Sequence, residues 1–333
     1  MSMNTTLAGP GAGKIGRRLV TAAVTALIIT GLATLAGRFG QIAWPFELLS
    51  HFTVQFLALQ ATGLAVLMLC GRHHRLALVF LPFPLINLML VAPYMLFPAW
   101  RAEAAGGPTR LTVLSANIHY SNHRVDLLQA EIARIDPDVI VLIEPTVDWY
   151  DDQSPQRAHY PNVIFHRDGA GTGIMMASRI PWERASTFAL SSPYSPSVYA
   201  TFCPAPERGP AGCVDLLGVH PISPIGAQRS HMRDAELEAI ADFVRQHGPE
   251  RFVVLGDFNT TPWSVRFSEL IERSGLAESP IGRGLTATWM SKSPLFGLPI
   301  DHVLVGRDIH VVRQAVGDDI GSDHYPVSAT LAF

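Results

Sequence analysis

Val253-Val-Leu-Gly-Asp257-Phe-Asn259-Thr-Thr-Pro-Trp263 runs from a string of apolar residues into a polar turn. A short apolar run bounded by turn residues reads as a buried strand, and this one ends in Asp-x-Asn. The same design recurs along the chain. Val113–Ile118 carries Asn117 near its end, Val139-Ile-Val-Leu-Ile-Glu144 ends in an acid, and Leu216-Leu-Gly-Val-His220 ends in histidine. Ile300-Asp301-His302 opens another strand, and Gly321-Ser-Asp323-His324-Tyr-Pro-Val precedes the last. A charge at the end of a buried strand is costly unless it has a partner such as a metal. Oxygen donors beside imidazoles suit a hard cation such as Mg²⁺, held by one or two carboxylates plus substrate phosphate. The cysteines are not spaced as zinc ligands.

Between these ends the sequence alternates strands with a few helices. Strand-like runs are Leu111–Ile118, Asp138–Glu144, Gly173–Ala177, Val198–Phe202, Val214–Val219, Phe252–Leu255, Ile300–Val305 and Val327–Leu331. Helical spacing appears at Val125–Ile135, at Ala227–His247 with Leu237, Ile240, Ala241 and Val244 inward, and at Ser264–Ser274. Residues 111–333 are long enough for one large core, and the mix predicts a single α+β domain.

The ordered set Asn117, Glu144, His220, Gly-Asp257-Phe-Asn259, Ile-Asp301 and Ser-Asp323-His324-Tyr-Pro-Val resembles the endonuclease/exonuclease/phosphatase superfamily, the DNase-I-like phosphoesterases. Gly171-Thr-Gly-Ile-Met-Met-Ala-Ser-Arg179, completed by Pro181, is similar to the family's glycine-rich strand and the turn after it. The resemblance is strongest to a membrane-bound branch that includes teicoplanin-resistance-type proteins. It implies a four-layer α/β/β/α sandwich with a site at one rim. By the same pattern Glu144 binds the divalent metal, Mg²⁺ or Mn²⁺ in its place, with Asn117 beside it and Asp323 as a further or alternative ligand. Asp257 orients or deprotonates the attacking water. Asn259 and His220 contact phosphate oxygens, and His324, oriented by Asp301, faces the phosphoryl group. Ile143 stands where many relatives have Gln, and His119 where some nucleases have an acid. His231, His247, His302 and His310 read as surface or packing residues.

The remaining residues are of another kind. Of 333 residues 48% are hydrophobic and 16% charged, with a mean hydropathy of +0.22. Residues 1–100 hold six bases and one acid, Glu47, whereas residues 101–333 hold nineteen bases and twenty-seven acids. After a basic leader (1–18), three apolar stretches at about 19–37, 51–70 and 76–98 are near the ~20 residues that cross a bilayer as a helix. Pro82, Pro84, Pro93 and Pro98 predict a kinked or re-entrant third stretch. Trp44, Tyr94 and Trp100 fall near the segment ends, where amphipathic rings favour headgroups. Lys14, Arg17 and Arg18, then Arg38 offset by Glu47, then Arg72 and Arg75 alternate rich, poor, rich. That alternation places the N-terminus inside and the catalytic domain outside the cytoplasmic membrane of a bacterium. Gly9–Ile15 looks like a phosphate loop but lacks the Ser/Thr after Lys14 and a preceding strand. Cys203 and Cys213 flank a turn between two strands, are placed to pair, and would persist as a disulfide in an oxidising compartment; two buried thiols are the other reading.

Charge and tether bear on the substrate. A polynucleotide binder normally presents a basic face, but this domain is acidic and its one lysine is Lys292, so nucleic acid is disfavoured. A linker over 101–110 reaches at most ~35 Å, which confines the domain to the membrane boundary. Pro294-Leu-Phe-Gly-Leu-Pro299 could meet a lipid chain, a buried loop being the plainer reading. The sequence therefore predicts a membrane-anchored metal-dependent phosphoesterase acting on a phosphate or pyrophosphate of a lipid-linked envelope substrate. An exported, tethered nuclease is the second reading, and a non-catalytic receptor with a retained pocket the third.

Overall fold

The computed structural model describes residues 10–70, 73–95, 107, 109–146, 158–167, 173–279, 286–293 and 295–333. Residues 1–9, Trp100, most of the linker, Gly171 and Pro294 lie outside them. The chain divides into two compact units, Met1–Ala92 and Pro93–Phe333.

The first unit is helical: α1 (Pro10–Gly37), α2 (Trp44–Ser50), α3 (Thr53–Leu69), α4 (His74–Phe80) and α5 (Pro82–Met95), the last running past the boundary. Among the described residues one continuous helix, Lys14–Gly37, is long and apolar enough to cross a membrane. The second and third predicted spans are broken instead of straight. Helices α2 and α3 meet at 64°, and α4 and α5 at 48°. At the first break Phe52 leaves helical geometry and the Thr53 hydroxyl donates to the Ser50 carbonyl at 2.7 Å. At the second, Pro82 supplies no N–H to carry α4 onward. The polar interruptions in the apolar stretches find one another. Asn87 Nδ2 donates to Gln60 Oε1 and to Thr34 Oγ1, each at 2.9 Å, and Gln60 Nε2 donates to Thr34 Oγ1 at 3.0 Å. A buried amide in an apolar bundle is tolerable on such terms, and the cluster ties α1, α3 and α5 together.

The second unit contains two six-stranded sheets. In chain order the strands are β1 (Arg110–Asn117), β2 (Val139–Ile143), β3 (Asn162–Arg167), β4 (Gly173–Ser178), β5 (Trp182–Ala189), β6 (Pro196–Phe202), β7 (Val214–Val219), β8 (Phe252–Asp257), β9 (Ala277–Glu278), β10 (Asp301–Val305), β11 (His310–Val316) and β12 (Val327–Ala332). One sheet runs β11-β12-β1-β2-β4-β3 and the other β5-β6-β7-β8-β10-β9. Alternate residues of both sheets, among them Val113, Val141, Leu216, Val253, Val303 and Leu331, form the core between them. The opposite faces are covered by helices. Leu128 and Ile132 of α6 (Val125–Ile135) join Leu114, Ile140 and Met175. Leu237, Val244, Phe267 and Leu270 of α7 (Ala227–His247) and α8 (Val265–Ser274) join Leu217, Val219 and Val254. Both faces of each central strand are thus buried, which is why those strands read as unbroken apolar runs. The α/β/β/α order is the architecture expected from the sequence. Cys203 and Cys213 are joined, Sγ–Sγ 2.01 Å, across the turn between β6 and β7.

Two parallel pairs aim the chemistry at one rim. β1 pairs with β2, and β7 with β8, so Asn117, Glu144, His220 and Asp257 all leave the carboxyl ends of these strands. β10 runs antiparallel to β8 and places Asp301 opposite Asp257. Gly256, one residue before Asp257, has φ +152°, and a Cβ there would strike the Val219 carbonyl of the neighbouring strand. Gly256→Ala is expected to cost about 2–3 kcal/mol and to lower the melting point by roughly 8 °C. Thermal unfolding followed by near-UV circular dichroism checks it; an unchanged midpoint would show that the strand pair yields freely.

Candidate active site

Seven of the eight predicted catalytic and metal-binding residues line one cleft of about 380 Å³: Asn117, Glu144, His220, Asp257, Asn259, Asp323 and His324. Asp301 lies behind it, buried against His324. Three of the cleft residues have left-handed backbones, His119 at φ 58°, Glu144 at φ 62° and Asn259 at φ 49°. Non-glycine residues hold that conformation only where surrounding contacts fix it. For Glu144 these include Asn117 Nδ2 on Oε1 and the Tyr120 amide on Oε2, each at 3.2 Å.

Asn117 is the hub. Its Nδ2 also donates to Asp257 Oδ2 at 3.1 Å, while its Oδ1 accepts the His119 amide at 3.0 Å. It therefore spaces two carboxylates as a donor. Asp257 Oδ1 accepts the Asn259 amide at 2.9 Å, and Asn259 Nδ2 donates to the Pro221 carbonyl. His220 Nε2 stands 3.8 Å from both Glu144 Oε1 and Asp257 Oδ2.

His324 faces Asp257 with Nε2 at 3.7 Å and bonds Asp301 through Nδ1 at 2.9 Å. Burial alone would push its proton affinity down, but the Asp301 and Asp257 carboxylates outweigh that and carry its pKa up to about 10. Burial and the Asp301 charge push Asp257 up from the ordinary carboxylate value, against the pull of His324 and His220.

Asp257, Asp301 and His324 each bring a ligand atom within 4.8 Å of the others, the one such group found among the described residues. That buried group could bind a metal ion, yet His324 Nδ1 already bonds Asp301, and the more open oxygens belong to Glu144. Asp323 adds an independent sign. Its Oδ2 accepts the Trp289 indole N–H at 3.1 Å, but its buried Oδ1 has no hydrogen-bond partner. A buried carboxylate oxygen left over beside two further carboxylates fits a hard divalent cation.

Several supporting residues escaped the sequence reading. Arg233 of α7 is wholly buried, and its Nη1 donates to the Asn259 carbonyl at 3.0 Å. Glu236, one turn on, accepts the Ile222 amide at 2.7 Å behind the cleft wall, and burial raises its pKa. Both extend the inward stripe of Leu237, Ile240 and Val244 at helical spacing, a signal overlooked because polar residues on such a stripe are discounted. Ser322 donates to the Asn117 carbonyl at 2.8 Å and accepts the His324 amide, joining the last loop to β1. Tyr194 and Arg229 also line the cleft. None of His231, His247, His302 and His310 does. His302 is a core residue, held by Glu278 at 2.7 Å and the Thr260 carbonyl at 2.9 Å.

This geometry meets independent comparisons. Residues 114–324 match the family described as Endonuclease/Exonuclease/phosphatase. The chain belongs to that family. Its fold is shared with a mannosyl-6-phosphatase of Bacteroides thetaiotaomicron (18% identity, TM-score 0.56, covering 67% of this chain and 100% of that one). It is shared equally with D. rerio TDP2 complexed with single strand DNA product (16%, TM-score 0.55, 68% and 100%). The catalytic domain of human Nocturnin with bound sulfate anion is a third (15%, TM-score 0.57, 68% and 94%). Among curated proteins none matches the sequence. At these identities the likeness concerns fold, and the neighbours include both a phosphatase and a DNA-bound protein.

Proposed function

We propose that the chain is a membrane-anchored phosphoesterase, dependent on a divalent metal, that hydrolyses a phosphate or pyrophosphate of a lipid-linked substrate outside the cytoplasmic membrane. The observation that carries the hydrolytic part is the convergence of Asp257, Asn259, His220 and the His324–Asp301 pair on one cleft with Glu144 and Asp323. Asp257 is the residue for the attacking water: it is buried, fixed by two donors, and aimed into the cleft between two imidazoles. His324, oriented by Asp301, and His220 offer N–H groups toward the phosphoryl oxygens. Asn259 is positioned to meet a phosphate oxygen once its side chain leaves Pro221. Glu144 and Asp323 would hold Mg²⁺, or Mn²⁺ in its place. When bound, that ion supplies positive charge at the equatorial oxygens, where phosphoryl transfer most needs it.

The anchoring part is supported by Lys14–Gly37, which is long and apolar enough to cross a membrane, and by the two bent apolar pairs, each read as one broken span. Lys14, Arg17 and Arg18 in the first turns of α1, and the basic residues between the later stretches, support the outside placement. The Cys203–Cys213 pair is in keeping with an oxidising compartment. The domain's acidity favours a lipid-linked substrate over a polynucleotide, as does the resemblance to the teicoplanin-resistance branch. The DNA-bound neighbour keeps an exported nuclease as the second reading.

One assay separates them. Purified full-length protein with Mg²⁺ is given undecaprenyl pyrophosphate, a phosphoinositide and single- or double-stranded DNA. Phosphate release from lipid with intact DNA is the expected result. DNA cleavage without lipid turnover would establish the nuclease, and absence of turnover on every substrate would leave a binding protein.

A further inference from the structure

We propose that the rim of the cleft is a docking surface for a lipid bilayer, with the turn between Trp289 and Leu298 as its inserting element. The proposal rests on the lipid-substrate reading and adds where the domain meets the membrane.

Large apolar side chains exposed among the described residues beyond 107 are few: Tyr120, Tyr194, Ile225, Leu295 and Phe296. Each belongs to a chain segment that lines the same opening. Tyr194 lines the cleft, Tyr120 follows the lining residue His119, and Ile225 lies two residues after the lining residue Ser223. Leu295 and Phe296, 79% and 53% exposed, stand on the turn that leaves the lining residue Trp289. A buried loop is the plainer sequence expectation for this segment, yet among its described residues only Leu298 is buried. Scattered single apolar residues need no explanation, but here all of them fall on the segments that build one opening, which marks that face as an interaction site.

The turn is held rigidly. Trp289 and Leu298 exchange amide hydrogen bonds at 2.9 and 3.2 Å, and the Phe296 amide donates to the Ser293 carbonyl at 2.9 Å. It is also tied to the chemistry. The Ser291 amide donates to the Asp323 carbonyl at 3.1 Å, and the Tyr325 hydroxyl donates to the Ser291 carbonyl at 3.2 Å. Whatever the turn touches is thereby registered to Asp323 and the cleft. Lys292, the single lysine after residue 14, is exposed on the same turn. Two apolar side chains beside one cation are suited to a phosphate-bearing headgroup layer. Leucine and phenylalanine enter the acyl boundary, and lysine keeps its ammonium at the phosphates. Tyrosine rings around the opening favour the same layer.

A bilayer is the occupant because this chain carries a helix, Lys14–Gly37, long and apolar enough to cross one, which on the membrane-anchored reading keeps the domain at a membrane surface. A rim seated in the headgroups would let a phosphorylated lipid present its head to Asp257 while its chain stays in the acyl layer.

The test uses the full chain in nanodiscs of phosphatidylglycerol and phosphatidylcholine. The exposed free thiol is first removed by Cys70→Ser. A fluorescent NBD label is then placed at Phe296→Cys, at Leu295→Cys, or at Glu183→Cys, an exposed position away from the cleft. Both rim labels are expected to be blue-shifted and quenched by acyl-chain nitroxide lipids at least about twofold more than the Glu183→Cys label. Equal quenching at all three sites would overturn the proposal. So would a blue shift without lipid quenching, the sign of a contact between copies of the chain. Quenching at the rim with no turnover of any lipid would leave the docking surface standing and remove the lipid-substrate reading.

Discussion

Asp257→Asn is expected to cut metal-dependent phosphate release by about a thousandfold while moving the melting point by no more than roughly 2 °C. The two halves of that expectation come from different contacts. Asparagine preserves an acceptor for the Asn259 amide, now at 2.9 Å, so the left-handed turn at Asn259 keeps its tie. His324 retains Asp301 at 2.9 Å, so no buried imidazole is left alone. What disappears is the one carboxylate aimed into the cleft between His220 and His324. With it goes a cleft carboxylate whose proton affinity is raised by burial, the property that suits a base. The new amide nitrogen would also face the Asn117 donor, which now bonds the carboxylate at 3.1 Å. Initial rates on a lipid phosphate, measured beside circular dichroism, decide the matter. A fall in rate matched by a fall in melting point would assign Asp257 a structural role instead.

The sequence revealed the inside of the fold and hid its borders. The eight strand-like runs became β1, β2, β4, β6, β7, β8, β10 and β12, the interior strands of the two sheets. The strands not foreseen are β3, β5, β9 and β11, the four at the sheet edges. An interior strand is covered on both faces and must be apolar throughout, as Val-Ile-Val-Leu-Ile is in β2. An edge strand faces solvent along one side and carries polar and charged residues, as Trp-Glu-Arg-Ala-Ser-Thr-Phe-Ala does in β5. Its residues satisfy the sheet through backbone pairing, which leaves little trace in composition.

The candidate site divides along a similar line. Side chains on strand ends were legible because a polar residue closing an apolar run is anomalous. Part of what arranges them was not, because many of those contacts are made by backbone groups. The His119 and Tyr120 amides and the Asn259 carbonyl are invisible to any reading of side-chain type. The breaks in the apolar helices were foreshadowed by proline in the third stretch, where Pro82 now separates α4 from α5. The break at Phe52 had no such marker.

Arg233→Met should expose how far the site depends on the helix behind it. Arg233 is fully buried in α7, with Nη1 on the Asn259 carbonyl at 3.0 Å and Nε on Asp234 at 2.9 Å. Breaking a buried charge pair by removing one member typically costs 3–5 kcal/mol, because the other charge is stranded. Here Asp234 keeps Arg266 at 3.0 Å and some solvent, so about 3 kcal/mol, a fall of roughly 10 °C in melting point, is the fitting expectation. The second effect is local. Asn259 sits at φ 49°, and the Arg233 contact is one of the ties that hold it there. Without that tie Asn259 can relax toward ordinary backbone and carry its amide away from Asp257, so turnover should fall about ten- to a hundredfold below the melting point. Arg233→Lys keeps the charge but lacks the planar fork that serves two acceptors, so it should recover stability more than rate. A variant whose stability drops while the rate of the folded fraction stays at the wild-type value would confine Arg233 to the core and free Asn259 from dependence on α7.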